Sequence, residues 1–249
     1  RGLVGSEMCI RDRSWRSWKC PLAKSKKITL FDLTMRGEKT LLVLAGNPPS
    51  QELIKWRFDD CDFSVAVDGG CHSFENAGLL PDVLIGDGDS FCKYEEFSRI
   101  NPTVQVHKIQ DQETTDLEKS LQWLESNTQT NEIVILGGLG NSSDHFLSNL
   151  MTACRVNLRW SLTFDDQEEW IRRITSHTPL ELRGRAGSRL SLSPLTVCEG
   201  VYTEGLRWNL NGESLSAMEK FSQSNICANE TVKVSLVSGV LYAILSKHN

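Results

Sequence analysis

The sequence predicts an α/β protein, with a mainly parallel sheet and flanking helices in the N-terminal domain and antiparallel β in the C-terminal domain. Three observations predict it. From Thr40 onward, short β-rich apolar runs end in Gly or Asp and lead into stretches of helical periodicity, the alternation that builds βαβ units. The runs are apolar nearly throughout, as strands buried on both faces must be. Beyond about Asp165 the chain changes to short alternating segments rich in Ser, Thr, Arg and Gly, which read as antiparallel β.

Taken in order, runs at residues 41–45, 63–67, 83–85, 104–107 and 133–136 predict the parallel strands. A helix begins near Gly70 and ends at Gly78, with Pro81 beyond it. Thr115-Asp116-Leu117-Glu118 is a capping box: the Thr hydroxyl accepts from the Glu118 amide, and the Glu carboxylate reaches back to the Thr amide. Leu117, Leu121 and Leu124 then share one helix face. Another helix follows Ser143, with Phe146, Leu147, Leu150, Met151 and Cys154 at helical spacing. In the C-terminal part, residues 188–192, 195–198, 231–236 and 240–245 read as strands, the last two as a closing hairpin turning at Val237-Ser238-Gly239. The expected division is an N-terminal extension at 1–36, an α/β domain at 37–165 and an antiparallel β domain at 166–249. Within the extension, residues 1–14 read as a gene-calling artefact or a disordered tail, with Met8 and Met35 as alternative starts.

The chain has 249 residues and a net charge of −5. So mild a negative balance supplies no positive field for nucleic acid or an anionic membrane surface, which leaves a small-molecule partner. The apolar runs are strand-length, far short of the roughly 20 residues that span a bilayer. Eight cysteines are present, and Cys61, Cys71, Cys92, Cys154, Cys198 and Cys227 are scattered without a C-x-x-C pair. Free thiols in a reducing, cytoplasmic setting are the expected state.

In open α/β sheets ligands collect beyond the carboxyl ends of the strands. The residues just after the five runs are Gly46-Asn47-Pro48, Asp68-Gly69-Gly70, Gly86-Asp87-Gly88-Asp89-Ser90, a stretch holding Asp111 and Asp116, and Gly137-Gly138-Leu139-Gly140. Glycine lets backbone amides approach phosphate oxygens, and helix N-termini add their positive dipole ends. Carboxylates alone would repel phosphate, so a hard divalent cation is required between them; Mg²⁺ takes one or two carboxylates together with substrate phosphates. Asp87, Asp89 and Asp116 are the candidate ligands. Taken singly, Asp68-Gly69-Gly70 reads as a turn and Asp116 as a first-turn carboxylate favoured by the helix dipole. The glycine cluster at 137–140 departs from the dinucleotide fingerprint, and the sequence holds no P-loop. The joint occurrence of one such feature per strand end is what points to a triphosphate site.

These residues, in this order and spacing, resemble the thiamine pyrophosphokinase (thiamine diphosphokinase) family. The resemblance rests on Asp68-Gly69-Gly70, Pro81-Asp82, Ile85-Gly86-Asp87-Gly88-Asp89-Ser90, Asp111, Thr115-Asp116-Leu117-Glu118-Lys119, Gly137-Gly138-Leu139-Gly140 and Asp144-His145. It continues through Gly200-Val201, Gly205-Leu206-Arg207-Trp208-Asn209-Leu210 and Ser224-Asn225. It implies transfer of the diphosphate of ATP to the hydroxyl of thiamine, giving thiamine diphosphate and AMP, in a homodimer with its active sites at the subunit interface. It assigns Mg²⁺ and catalysis to Asp87, Asp89 and Asp116. ATP and its phosphates fall to Asp68, Gly69, Gly70, Asp111, Thr115, Lys119, Gly137 and Gly138, and thiamine to Asp144, His145, Trp208, Ser224 and Asn225. On this reading the α/β domain binds ATP and magnesium and the β-sandwich binds thiamine. Two positions depart from the family pattern: Gly88 stands where many members carry a bulky apolar residue, and Asn141-Ser142-Ser143 where many carry Gly-Arg, with Lys119 and Arg207 as substitute cations. Pyrophosphoryl transfer to a pterin alcohol, and a non-catalytic thiamine or nucleotide sensor, are the alternatives on the same scaffold.

Overall fold

The structure is a computed structural model that describes residues 39–86, 101–109, 111, 113–140 and 142–247. The expected extension at 1–36 lies outside these residues, as do Asp87, Gly88, Asp89, Ser90, Cys92 and Asn141. Two compact units are present, one ending at Gln167 and the other beginning at Glu168.

In the first unit the elements run β1 (Lys39–Val43), α1 (Gln51–Asp60), β2 (Phe63–Val67), a turn of 3₁₀ helix (Asp68–Gly70), α2 (Cys71–Ala77), β3 (Val83–Gly86) and β4 (Gln105–Lys108). They continue as α3 (Asp116–Asn127), β5 (Glu132–Leu136), α4 (Ser143–Arg155) and β6 (Ser161–Asp165). The strands are parallel, in the order β4-β3-β2-β1-β5-β6. Both faces are covered, as a parallel sheet requires. Leu41, Val43, Ala66 and Leu84 pack with Leu53 and Ile54 of α1 and Phe74 of α2. On the opposite face Phe63 stacks on Trp123 of α3, with ring centroids 6.4 Å apart.

The helix ends follow local chemistry. Ser50 Oγ accepts from the Leu53 amide at the start of α1, and Thr115 Oγ1 from the Glu118 amide at the start of α3. The Glu118 carboxylate lies 3.6 Å from Arg155. Gly78, at φ 69°, closes α2 in the left-handed conformation. In α4 the structure corrects the expected stripe. Leu150, Thr152 and Ala153 are buried while Leu147 and Met151 are 48 % and 49 % exposed.

The second unit contains β7 (Glu169–Ile174), β8 (Leu180–Arg183), β9 (Arg189–Pro194), β10 (Cys198–Glu204), β11 (Asn211–Leu215), β12 (Ser222–Ile226), β13 (Thr231–Ser235) and β14 (Leu241–Ser246). Antiparallel ladders build two layers, β12-β9-β14-β7 and β11-β10-β13-β8. Trp170, Leu192 and Leu241 of one layer and Leu182, Val201 and Val232 of the other belong to a single buried cluster, the core of a β-sandwich. The fold class is therefore the expected one, a mainly parallel α/β sheet followed by antiparallel β.

Two expectations within this unit are corrected. The segment 231–245 is not a hairpin: β13 pairs with β10 and β8, whereas β14 pairs with β7 and β9. The chain at Val237-Ser238-Gly239 instead crosses between layers, with Glu199 and Ser238 bridged and Gly239 at φ 101°. The strand expected at 195–198 begins only at Cys198, because Leu195 and Thr196 are used in bonds to Val240 at a similar crossing.

Candidate active site

Parallel pairing puts the carboxyl ends of β1, β2, β3, β4 and β5 on one rim of the first unit, so everything that follows these strands starts there. From β1 the chain proceeds to β2 on one side, while β5 occupies the other. The order therefore reverses between β1 and β5, the switch point at which an open sheet leaves a crevice for ligand.

Glycine lines that crevice. The Leu44 amide donates to the Leu136 carbonyl at 2.9 Å, and the Gly46 amide to the Gly137 carbonyl at 3.1 Å. A Cβ on Gly46 would lie 2.1 Å from the Gly137 oxygen, and one on Gly137 would lie 2.4 Å from the Leu44 oxygen. Gly137 also has φ 69°. The two loops thus pack backbone to backbone, and only glycine fits. Asn149 of α4 donates its side-chain amide to the Gly138 carbonyl at 3.0 Å, and Asn47 lies against Gly140.

Exposure sorts the glycines by role. Gly70, Gly137 and Gly138 are buried: a Cβ would meet the Val43 carbonyl oxygen at Gly70 and the Phe164 ring at Gly138. Gly46, Gly69 and Gly140 retain accessible backbone. Asn47 and Gly140, placed by the sequence at strand ends without a role of their own, meet in this crevice. Asp68 is buried at 4 % exposure and has φ 49°, a left-handed conformation that Asp tolerates better than most residues.

Asp111 and Asp116 sit on either side of the turn into α3. Asp111 accepts from the Glu113 amide at 2.9 Å and from the Thr114 hydroxyl. The Thr114 hydroxyl, followed by the Glu113 amide, holds its carboxyl below the usual range. Both oxygens are thereby committed to the turn that delivers Thr115 to its cap. Asp116 is 45 % exposed, and one oxygen lies 3.2 Å from Lys119 Nζ, whose side chain is only 5 % exposed. At the start of α4 Asp144 accepts from the Ser142 hydroxyl and the His145 amide. That hydroxyl, with the amide, depresses its carboxyl. Asp144 and His145 are both exposed.

The donor chemistry on this rim suits Mg²⁺, since Asp116 offers a half-exposed oxygen ligand. Asp87 and Asp89 follow Gly86, the last residue of β3, in sequence. Among the described residues no group of three His, Cys, Asp or Glu is placed to hold a metal.

The second unit carries the remaining candidates. Trp208 is 60 % exposed, so it is a surface platform and not part of the sandwich core. The Arg207 guanidinium lies 5.5 Å from the centre of its ring. Ser224 has φ 56°, and its amide donates to Ser191 Oγ at 2.9 Å. Asn225 is 2 % exposed, and its amide group is hydrogen-bonded to the Trp208 main chain.

No helix of the described residues is long and apolar enough to cross a membrane. Cys61, Cys71 and Cys227 are free thiols.

Comparison with known proteins agrees with this layout. Residues 54–162 match the thiamin pyrophosphokinase catalytic domain, and residues 177–241 the thiamin pyrophosphokinase vitamin B1 binding domain. Thiamine pyrophosphokinase 1 of Oryza sativa subsp. japonica is 32 % identical over 174 residues, 66 % of this chain and 66 % of the relative. The matched segment thus spans about two thirds of that relative. The crystal structure of thiamine pyrophosphokinase from Bacillus subtilis shares the fold with a TM-score of 0.71 at 23 % identity, covering 85 % of this chain and 100 % of the other. That from Candida albicans gives 0.68 at 15 % identity, covering 84 % and 90 %. Both domain models match in chain order, and thiamine pyrophosphokinase 3 of Oryza sativa subsp. japonica is 30 % identical across 67 % of its own length; the chain belongs to the thiamine pyrophosphokinase family.

Proposed function

We propose that the protein is an ATP:thiamine diphosphotransferase, a cytoplasmic enzyme that uses Mg²⁺ to move the diphosphate of ATP onto thiamine. The observation that carries this reading is the rim of the parallel sheet. It joins accessible glycine backbone at a topological switch point to a half-exposed carboxylate, in a chain that also matches a vitamin B1 binding domain.

In the reaction the hydroxyl oxygen of thiamine attacks the β-phosphorus of ATP. The bond to the oxygen bridging the α-phosphate breaks, AMP departs, and the hydroxyl proton is released. Most of the catalytic work is alignment and charge neutralisation. Backbone at Gly46, Gly69 and Gly140 approaches the phosphates, with the N-termini of α3 and α4 opening on the same rim. Asp87, Asp89 and Asp116 would hold Mg²⁺, which when bound offsets the charge developing on the phosphate oxygens. Lys119 holds Asp116 in place and adds positive charge beside it. Asp111, already committed to its turn and held acidic, is a weak proton acceptor and serves to shape the loop. Trp208 offers its face to the flat thiamine rings, a suitable surface for the cationic thiazolium. His145, Asp144 and Ser224 complete the proposed thiamine contacts. The molecule works as a homodimer with active sites at the interface; half-exposed Leu147 and Met151 on α4 supply apolar surface for such pairing.

Purified protein given ATP, thiamine and Mg²⁺ is expected to release AMP and thiamine diphosphate in equal amounts, and to stop when EDTA is added. Asp116→Asn should lower kcat on the order of a hundredfold. Absence of thiamine diphosphate under any divalent cation would reject the assignment. A product formed on a pterin alcohol but not on thiamine would transfer it to the related reaction. Sedimentation equilibrium tests the homodimer.

A further inference from the structure

We infer that Asn225 is a positioning residue, which holds the Trp208 main chain from beneath so that the indole stands ready for thiamine, and does not itself touch substrate. The inference rests on Trp208 as the thiamine platform and assigns the device that presents it.

An indole 60 % exposed on a connecting loop would lose much of its stacking energy if the loop had first to be ordered. This loop is ordered in advance. The Gly205 carbonyl accepts from the Ala228 and Asn229 amides, and the Arg207 amide donates to the Ile226 carbonyl at 2.9 Å. Asn209 Oδ1 accepts from the Leu206 amide, and Thr203 Oγ1 from the Leu210 amide at 2.7 Å.

At Trp208 one side chain satisfies both main-chain groups. Its amide donates to Asn225 Oδ1 at 3.2 Å, and its carbonyl accepts from Asn225 Nδ2 at 2.7 Å. Asn225 Oδ1 also accepts from the Ile226 amide at 2.8 Å, which uses both of its lone pairs. At 2 % exposure the side chain has almost no surface to offer a ligand. Only an amide of this length provides donor and acceptor to the two ends of one residue: Asp would set oxygen against the Trp208 carbonyl, and Gln would overshoot by a methylene. The left-handed backbone at Ser224, pinned through Ser191, immediately precedes Asn225.

The test is a double-mutant cycle with Trp208→Ala, Asn225→Ala and the double variant, reading KM for thiamine, KM for ATP and kcat. Asn225→Ala is expected to raise the thiamine KM about tenfold with ATP KM and kcat nearly unchanged, and to add little once Trp208 is gone. A thiamine penalty that multiplies onto Trp208→Ala would mean direct contact and overturn the inference. So would an equal rise in the ATP KM, which would signal a general structural defect. Should Asn225→Ala fail to fold, Asn225→Asp keeps the two acceptor bonds and is expected to give the same pattern. An independent readout is the ¹⁹F spectrum of 5-fluorotryptophan protein, with the Trp208 line assigned by Trp208→Phe. That line alone should move or broaden in the Asn225 variants, and an unmoved line overturns the inference. If Trp208→Ala leaves the thiamine KM unchanged while the ¹⁹F line does respond, the platform reading has failed and the clamp has not.

Discussion

His107 lies with its ring centre 5.0 Å from that of Trp123, and burial lowers its pKa from the ordinary 6.5. The sign of its effect follows. Below 6.5 the unfolded chain takes up a proton that the folded imidazole resists, so the contribution is fully present above 6.5 and is lost as the pH falls toward the folded value. Denaturant midpoints between pH 7.5 and 5 should therefore decline, and His107→Phe should flatten that decline; an unaltered slope would count against it. Burial likewise pushes the Cys61 and Cys71 thiols up to about 12, so both should escape iodoacetamide at pH 8 in the native protein, as peptide mapping can show. The residue types at the proposed site were legible in the sequence, because carboxylate and glycine after a strand have a chemical meaning wherever the strand lies. Their division of labour was not. Asp111 as a turn staple, Gly137 and Gly138 as packing glycines, and Asn225 as a buried clamp all depend on neighbours that lie far away in sequence.

Helix starts were the most legible elements, since capping is decided within four residues. Replacing Thr115 by Ala should cost about 1 kcal/mol, measurable by urea unfolding. Gly137→Ala should cost more. The left-handed backbone alone is worth about 1–2 kcal/mol, and the new Cβ would press on the Leu44 carbonyl. The same variant should also raise the ATP KM, because the crevice between β1 and β5 would open. Pairing partners were harder to read. The alternation in β13 and β14 suits a hairpin or a crossing between layers equally, because either arrangement buries Val232, Val234, Leu241 and Ala243. Five strands went unread altogether: β6, β7, β8, β11 and β12. In β6, Ser161-Leu162-Thr163-Phe164-Asp165 alternates like a half-exposed segment, yet all but Ser161 are buried. In β7, Arg172 and Arg173 are 9 % and 0 % exposed, and paired arginines in a sequence argue for the surface.

At the scale of the whole molecule, each unit has its own core. The first is tied across its sheet by a buried ion pair. Arg57 of α1 reaches Asp165 at the end of β6 at 2.5 Å and 2.7 Å through two guanidinium nitrogens, across 108 residues of chain. Arg57→Met would remove this charged partner from a buried carboxylate and should cost about 3–5 kcal/mol, as thermal unfolding can show. The sequence alone determined the α/β and antiparallel β classes, the capped start of α3 and the set of residues with phosphate and metal chemistry, because periodicity, capping and functional-group type are local properties. Strand order, the switch point between β1 and β5, the crossing at Gly239 and the clamp on Trp208 were decided only by tertiary structure. Each is a contact between segments far apart in sequence, whose identity depends on which buried surfaces find one another.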